Sequence, residues 1–174
     1  MRKASIITLA VLTILFFVGL FYFYKLGGFN ETEIKVINVP ESKMLGKQYK
    51  GQMGAKGYGR LFEESEELLK KGKVKGDIAA LFFNNPKKGT DTADVFIGII
   101  LKDSLHNIPE GFSLRKIPGR KVLQAHIQAD ILIAPFVFPD LEEYAKENNI
   151  VLKQNLTLEI YPGRDDMYIQ IPVE

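Results

Sequence analysis

The chain contains no cysteine and no tryptophan, and only His106 and His126 offer an imidazole. Without cysteine there are no disulfides, no thiolate metal sites and no cysteine nucleophiles. Two isolated histidines do not make a ligand motif, so neither a metal nor another cofactor is expected. An excess of charge of one sign is lacking as well: 23 Lys and Arg stand against 21 Asp and Glu, a formal net charge of +2. Arg2, Lys3 and Lys25 lie in the first 25 residues with no acid beside them, which leaves the rest of the chain at about −1. A concentrated positive field is absent, and with it the usual basis for nonspecific nucleic-acid binding. A length of 174 residues suits one domain, not two.

A long hydrophobic run is present. Residues 4–24 read ASIITLAVLTILFFVGLFYFY without a charge. At about 1.5 Å of rise per residue this run crosses a hydrocarbon core of roughly 30 Å. Phe21, Tyr22, Phe23 and Tyr24 followed by Lys25 give the aromatic-then-cation order of a membrane interface. A cleaved signal peptide has a shorter apolar core, about 7 to 15 residues, and a small-x-small cleavage site. Residues 1–25 are therefore predicted to be a single-pass anchor, with the lipid bilayer as the partner of residues 4–24. Arg2 and Lys3 precede the span and Lys25 alone follows closely, which places the N-terminus in the cytoplasm and the remaining domain outside it. Gly27, Gly28 and the polar residues 30–33 read as a short flexible link over residues 26–33.

From residue 34 to 174 the turn signals suit one α+β domain. Strands are predicted over 35–39, 47–56, 78–83 and 93–101, with a helix over 60–71 carrying an inner stripe of Leu61, Phe62, Ser65, Leu68 and Leu69. The two later strands are joined through Asn84, Asn85, Pro86 and a Lys-Lys-Gly turn. The order then recurs: a strand over 122–128, a helix over 139–148 with Pro139 in its first turn, and strands over 156–161 and 167–173. Matching elements lie about 75 residues apart, Gln48 falling opposite Leu123 and Phe82 opposite Thr157. The chain thus reads as duplicated strand-helix-strand-strand units, paired about a pseudo-twofold axis with a cleft between them, behind one N-terminal transmembrane helix.

Three segments carry a family resemblance. Gly59 to Ser65 (GRLFEES) enters the first helix, Ile78-Ala79 with Phe82-Phe83-Asn84-Asn85-Pro86 closes the next strand, and Leu158-Glu159-Ile160-Tyr161 is followed by Met167 to Pro172 (MYIQIP). Over residues 34 to 174 the chain resembles the GyrI-like ligand-binding domain, a relative of the SOUL haem-associated proteins and of bacterial effector-binding domains. The anchor and the Gly-Arg-Leu-Phe segment are most similar to a membrane-anchored branch of that family that serves in ER-phagy. These residues contain no helix-turn-helix, so a regulator role on DNA is not expected.

Glu159 is the sharpest candidate for chemistry. Strand alternation puts Thr157, Glu159 and Tyr161 on one face and Leu156, Leu158 and Ile160 on the other. The resemblance implies that the glutamate of such a Glu-x-Tyr pattern faces the inter-repeat cleft and pairs with an amphipathic, cationic ligand. Tyr161 would be a wall and hydrogen-bond donor, and Tyr49, Phe82 and Phe83 the aromatic residues reaching the cleft. It also implies two alternatives: an interaction module that recruits a protein partner across a vestigial cleft, and a hydrolase of electrophilic small molecules using Glu159 as base and Tyr161 as acid or orienter. Haem is not expected, because His126 lacks a second ligand. Lys43, Lys47, Lys50, Lys56 and Arg60 read as a solvated strand face, and Asp165-Asp166 as turn residues.

Overall fold

The computed structural model describes residues 2–86, 89–105, 107–153 and 156–174, with side chains from Ile6 onward. His106 and the Lys87-Lys88 part of the turn lie outside the described residues. The elements are α1 (Arg2–Lys25), β1 (Glu33–Val39), β2 (Ser42–Gln52), α2 (Lys56–Lys70), β3 (Gly76–Phe82), β4 (Thr92–Leu101), β5 (Ser113–Ile117), β6 (Arg120–Ile127), a 3-10 turn (Ile131–Ile133), α3 (Ala134–Glu147), β7 (Thr157–Gly163) and β8 (Asp166–Pro172).

The strands form a single eight-stranded sheet in the order β1-β6-β8-β7-β3-β4-β2-β5. Every pairing is antiparallel. The unit β2-α2-β3-β4 contributes three adjacent strands, the unit β6-α3-β7-β8 contributes three more in mirrored order, and β3 meets β7 at the junction. This is the expected duplication. The β3 and β7 ladder therefore lies where the two units meet.

The two outer ladders belong to one ribbon. Val39 of β1 faces Arg120 of β6, and three residues further along Ser42 of β2 faces Ile117 of β5, three residues back. The register is therefore continuous across the Pro40-Glu41 and Pro118-Gly119 links, where each proline removes a backbone donor and interrupts the ladder. Because the ribbon joins both edges of the sheet, the sheet must curl. The curl explains why Met44, Ala79, Leu81, Phe96, Ile117 and Leu158 form a buried cluster on the face away from α2 and α3. Gly46 and Gly98 face each other where β2 and β4 bend most closely: a Cβ on Gly98 would lie 1.9 Å from the Leu45 carbonyl oxygen.

Both helices pack on the other face. In α2 the 3.6-residue period sends Ser65 and Leu68 inward, and i,i+4 pairs from Arg60 to Glu64 and Lys70 to Glu66 line the solvent side. In α3 the buried stripe is Ala134, Val137, Leu141 and Ala145. This helix starts earlier than predicted. Pro135, not Pro139, occupies its first turn, while Pro139 lies inside it. The preceding 3-10 turn feeds straight into it, and the Asp130 side chain caps that turn by accepting from the Leu132 N–H at 3.0 Å. α2 likewise starts at Lys56, ahead of the predicted Arg60, despite Gly57 and Gly59. β2 correspondingly occupies 42–52 where 47–56 was predicted, and β5 was not predicted at all.

α1 projects from the domain with none of its apolar window buried. It meets the domain only near its C-terminal end, where Phe23 and Leu26 pack against the core beneath α3. The link that follows is bonded, not loose. The Asp130 N–H donates to the Leu26 carbonyl at 3.0 Å, and the Asn30 amide donates to the Gln128 carbonyl. Gly27 is buried with φ +81, and a Cβ there would meet the Gln128 carbonyl oxygen at 2.6 Å, so only glycine fits.

Candidate functional site

Glu159 lies at the centre of the sheet. On β7 it faces Ala80 of β3 on one side and Ile169 of β8 on the other. Alternation turns its side chain toward the helices, as it does Tyr161, and the small Ala80 leaves space beside it. Glu159 is only 8% exposed. The Tyr161 hydroxyl donates a hydrogen bond to Glu159 Oε2. Among the described residues no lysine, arginine or histidine forms an ion pair with this carboxylate.

Aromatic rings complete the surroundings. Tyr49 of β2 meets Tyr58 of α2 edge-on at 5.6 Å between centroids, Tyr58 meets Phe62 at 5.4 Å, and Phe62 meets Tyr161 edge-on at 6.3 Å. A continuous row of rings thus runs from β2 across the first turns of α2 to the carboxylate. Phe82 joins the same cluster beside Tyr49, Tyr58 and Phe62. Phe83 does not. Adjacent residues of a strand point oppositely, and Phe83 packs on the other face, under the Arg115 guanidinium at 4.6 Å. Tyr58 and Phe62 were not singled out from the sequence as cleft residues. The signal was there, since both lie on the inner side of α2 one turn apart, but only packing shows which strand that side meets.

Burial sets the electrostatics. It pushes the Glu159 carboxyl up to about 7, against the opposing pull of the Tyr161 hydrogen bond. The Tyr161 phenol is raised well above its ordinary value, first by burial and then by the neighbouring Glu159 charge. Tyr58 is raised by burial and, less, by Glu159 and Tyr49. The result is a buried acid beside aromatic side chains, without an ion-pair partner among the described residues, whose carboxyl lies near 7. Tyr58 lies near enough to feel the Glu159 charge, and Phe62 packs against Tyr161. Open hollows of about 530 Å³ at the start of α2 and about 470 Å³ beside Lys25 and Gln128 do not reach Glu159.

Several other polar features have local partners, although among the described residues Arg120 Nε and Nη2 are buried without a hydrogen-bond partner. Lys47 and Arg60 share Glu64 at 2.7 and 2.8 Å, and Lys50 reaches Asp94 at 3.5 Å. His126 stacks on Tyr168 at 4.3 Å, and its Nε2 lies 2.7 Å from Asp166, which is the first residue of β8 and not, as predicted, a turn residue. Among the described residues no group of three or more His, Asp or Glu is placed to hold a metal ion.

No family model matches this chain, and no curated protein matches it in sequence. Solved structures do match. EcmrR in its complex with DNA superposes with a TM-score of 0.62 at 15% identity, covering 99% of this chain, α1 included, and 68% of that one. A structure bound to tetraphenylphosphonium gives 0.55 at 11% identity, covering 82% of this chain and 94% of that one. The fold is GyrI-like. A hydrolase from Listeria innocua gives 0.57 at 11% identity, with 82% and 92% covered. At these identities the shared feature is the GyrI-like architecture, the paired units with helices on one face, and neither ligand nor reaction follows from it alone.

Proposed function

We propose that this chain is a membrane-tethered binding module that captures an amphipathic cationic small molecule between its two units, with Glu159 as the counter-charge. The observation that carries the reading is the buried Glu159 carboxylate, bonded to Tyr161 beside a row of aromatic rings and, among the described residues, paired with no cation. Each ring that contacts a desolvated cation contributes about 0.5 to 2 kcal/mol. Binding ionises Glu159, so capture of the cation releases a proton below neutral pH. One neighbour of the same fold supports the class of ligand: it was solved with tetraphenylphosphonium, a lipophilic delocalised cation. The tether is α1, whose window Ile6–Lys25 has mean hydropathy 2.6. Arg2 and Lys3 ahead of it support a cytoplasmic N-terminus with the domain on the opposite side.

The test is a titration of the full chain, held in detergent micelles, with tetraphenylphosphonium against the Glu159→Gln variant. Loss of the charge should weaken binding by about tenfold or more, equivalent to at least 1.4 kcal/mol. Equal affinity of the two proteins, or no saturable binding by either, would sink the reading and favour a protein-recruiting role.

A second reading rests on the Glu159 carboxyl lying near 7 while hydrogen-bonded to Tyr161. A hydrolase of electrophilic small molecules could use Glu159 to take a proton from the attacking water and Tyr161 to orient or protonate the leaving oxygen. Turnover of an electrophilic ester or epoxide, lost in the Glu159→Ala variant, would establish it, whereas stoichiometric binding without turnover counts against it.

A further inference from the structure

Four large apolar side chains stand exposed around the point where α1 meets the domain: Phe29 at 61%, Ile131 at 42%, Leu132 at 65% and Phe136 at 59%. They form one surface. Phe23, near the end of α1, packs edge-on against both Phe29 (5.1 Å) and Phe136 (5.4 Å). Ile131 and Leu132 belong to the 3-10 turn that leads directly into α3, so they stand about one turn ahead of Phe136. This surface continues the exposed apolar surface of α1, whose Phe21, Tyr22 and Tyr24 are 57 to 65% exposed at the same end.

The junction holds the two parts in register. The bonds from Asp130 to Leu26 and from Asn30 to Gln128, with Gly27 seated on the Gln128 backbone, leave no slack between the helix and the domain. A domain fixed in this way cannot swing clear of the plane in which the helix ends. Contiguous exposed apolar surface of this kind marks an interaction site. Lys25, with its ammonium 5.8 Å from the Phe21 ring, places the aromatic-then-cation boundary beside the patch.

We propose that Phe29, Ile131, Leu132 and Phe136 seat the domain on the bilayer that α1 enters, inserting at the headgroup and acyl boundary. The occupant of the patch is the lipid surface, in the manner of a monotopic contact added to a span. The domain is thereby held in one orientation on the membrane. This inference rests on α1 being a bilayer span.

The absence of tryptophan makes the test direct, because each single substitution introduces one reporter into the full chain. The variants L132W and F136W report on the patch, L15W reports on the span, and T92W lies at the opposite end of the strands, in the first position of β4. All four are reconstituted in phosphatidylcholine and phosphatidylglycerol vesicles with and without bromine-labelled acyl chains. Patch seating predicts blue-shifted emission and bromolipid quenching for L132W and F136W, several-fold above that of T92W and approaching that of L15W. Quenching of L15W alone, with L132W and F136W matching T92W, overturns the seating while leaving the span intact. Absence of quenching in L15W as well means the span itself fails. A blue shift of L132W without bromolipid quenching assigns the patch to a second copy of the chain and also overturns the proposal. Unchanged far-ultraviolet circular dichroism and an unchanged thermal unfolding midpoint across the variants verify that each has folded.

Discussion

Tyr161 donates its hydroxyl hydrogen to Glu159 from two residues further along the same face of β7. Strand geometry brings the two side chains to one side, where Glu159 is buried and Tyr161 is half-buried against Phe62 of α2. The pair behaves as a unit, because any change in the Glu159 charge is felt at the phenol. The unit governs how the site responds to pH.

Cation affinity should rise with pH. Below about 7 the Glu159 carboxyl is protonated and a cation must displace the proton, so affinity for tetraphenylphosphonium should increase close to tenfold per pH unit and level off above that point. The Glu159→Gln variant should be flat over the same range. Calorimetric or fluorescence titrations of the full chain between acid and mildly alkaline pH measure this, and a flat wild-type curve would exclude Glu159 as the counter-charge.

Stability should move the other way. The folded-state carboxyl titrates at about 7 while its ordinary value is 4.5, so the native state retains a proton that the unfolded chain has lost. Below 4.5 both states are protonated; between 4.5 and 7 native stability falls as pH rises, and above 7 both are ionised and the decline stops. Integrated over that window the loss is about 3 kcal/mol. Denaturant unfolding of wild type and Glu159→Gln at several pH values should show this slope in the first and not in the second.

Tyr161→Phe removes the donor that favours the ionised carboxylate. The pH at which cation affinity levels off should then move upward, while unfolding shows a cost of about 1 kcal/mol for the lost hydrogen bond. A downward move would mean that the phenol stabilises the protonated acid.

Gly98→Ala tests the curl of the sheet apart from the site. The added Cβ would stand 1.9 Å from the Leu45 carbonyl oxygen, so β2 and β4 must separate. Thermal unfolding should register a destabilisation of about 3 kcal/mol or more. Gly59→Ala, which meets nothing within 4 Å on α2, should instead be neutral or stabilising.

Features set by near neighbours along the chain were legible in the amino-acid sequence. The apolar run of α1, the inner stripe of α2 and the shared face of Glu159 and Tyr161 follow from composition and from the 3.6 and 2.0 residue periods. The duplicated order of elements was legible for the same reason. Tertiary structure alone decided the rest. Ser113 to Ile117 (SLRKI) has little strand character of its own and becomes β5 by pairing with β2. Pro40 and Pro118 look like stops in sequence, yet the ribbon continues through both because its register is held from either side. Phe82 and Phe83 are alike as residues, and only the β3 ladder sends one toward Tyr58 and the other beneath Arg115. Above all, a glutamate in a strand carries no mark of its acidity. Glu159 is pushed toward neutral by burial among β3, β8 and the rings of α2, contacts made by residues distant in sequence, so its chemistry belongs to the fold.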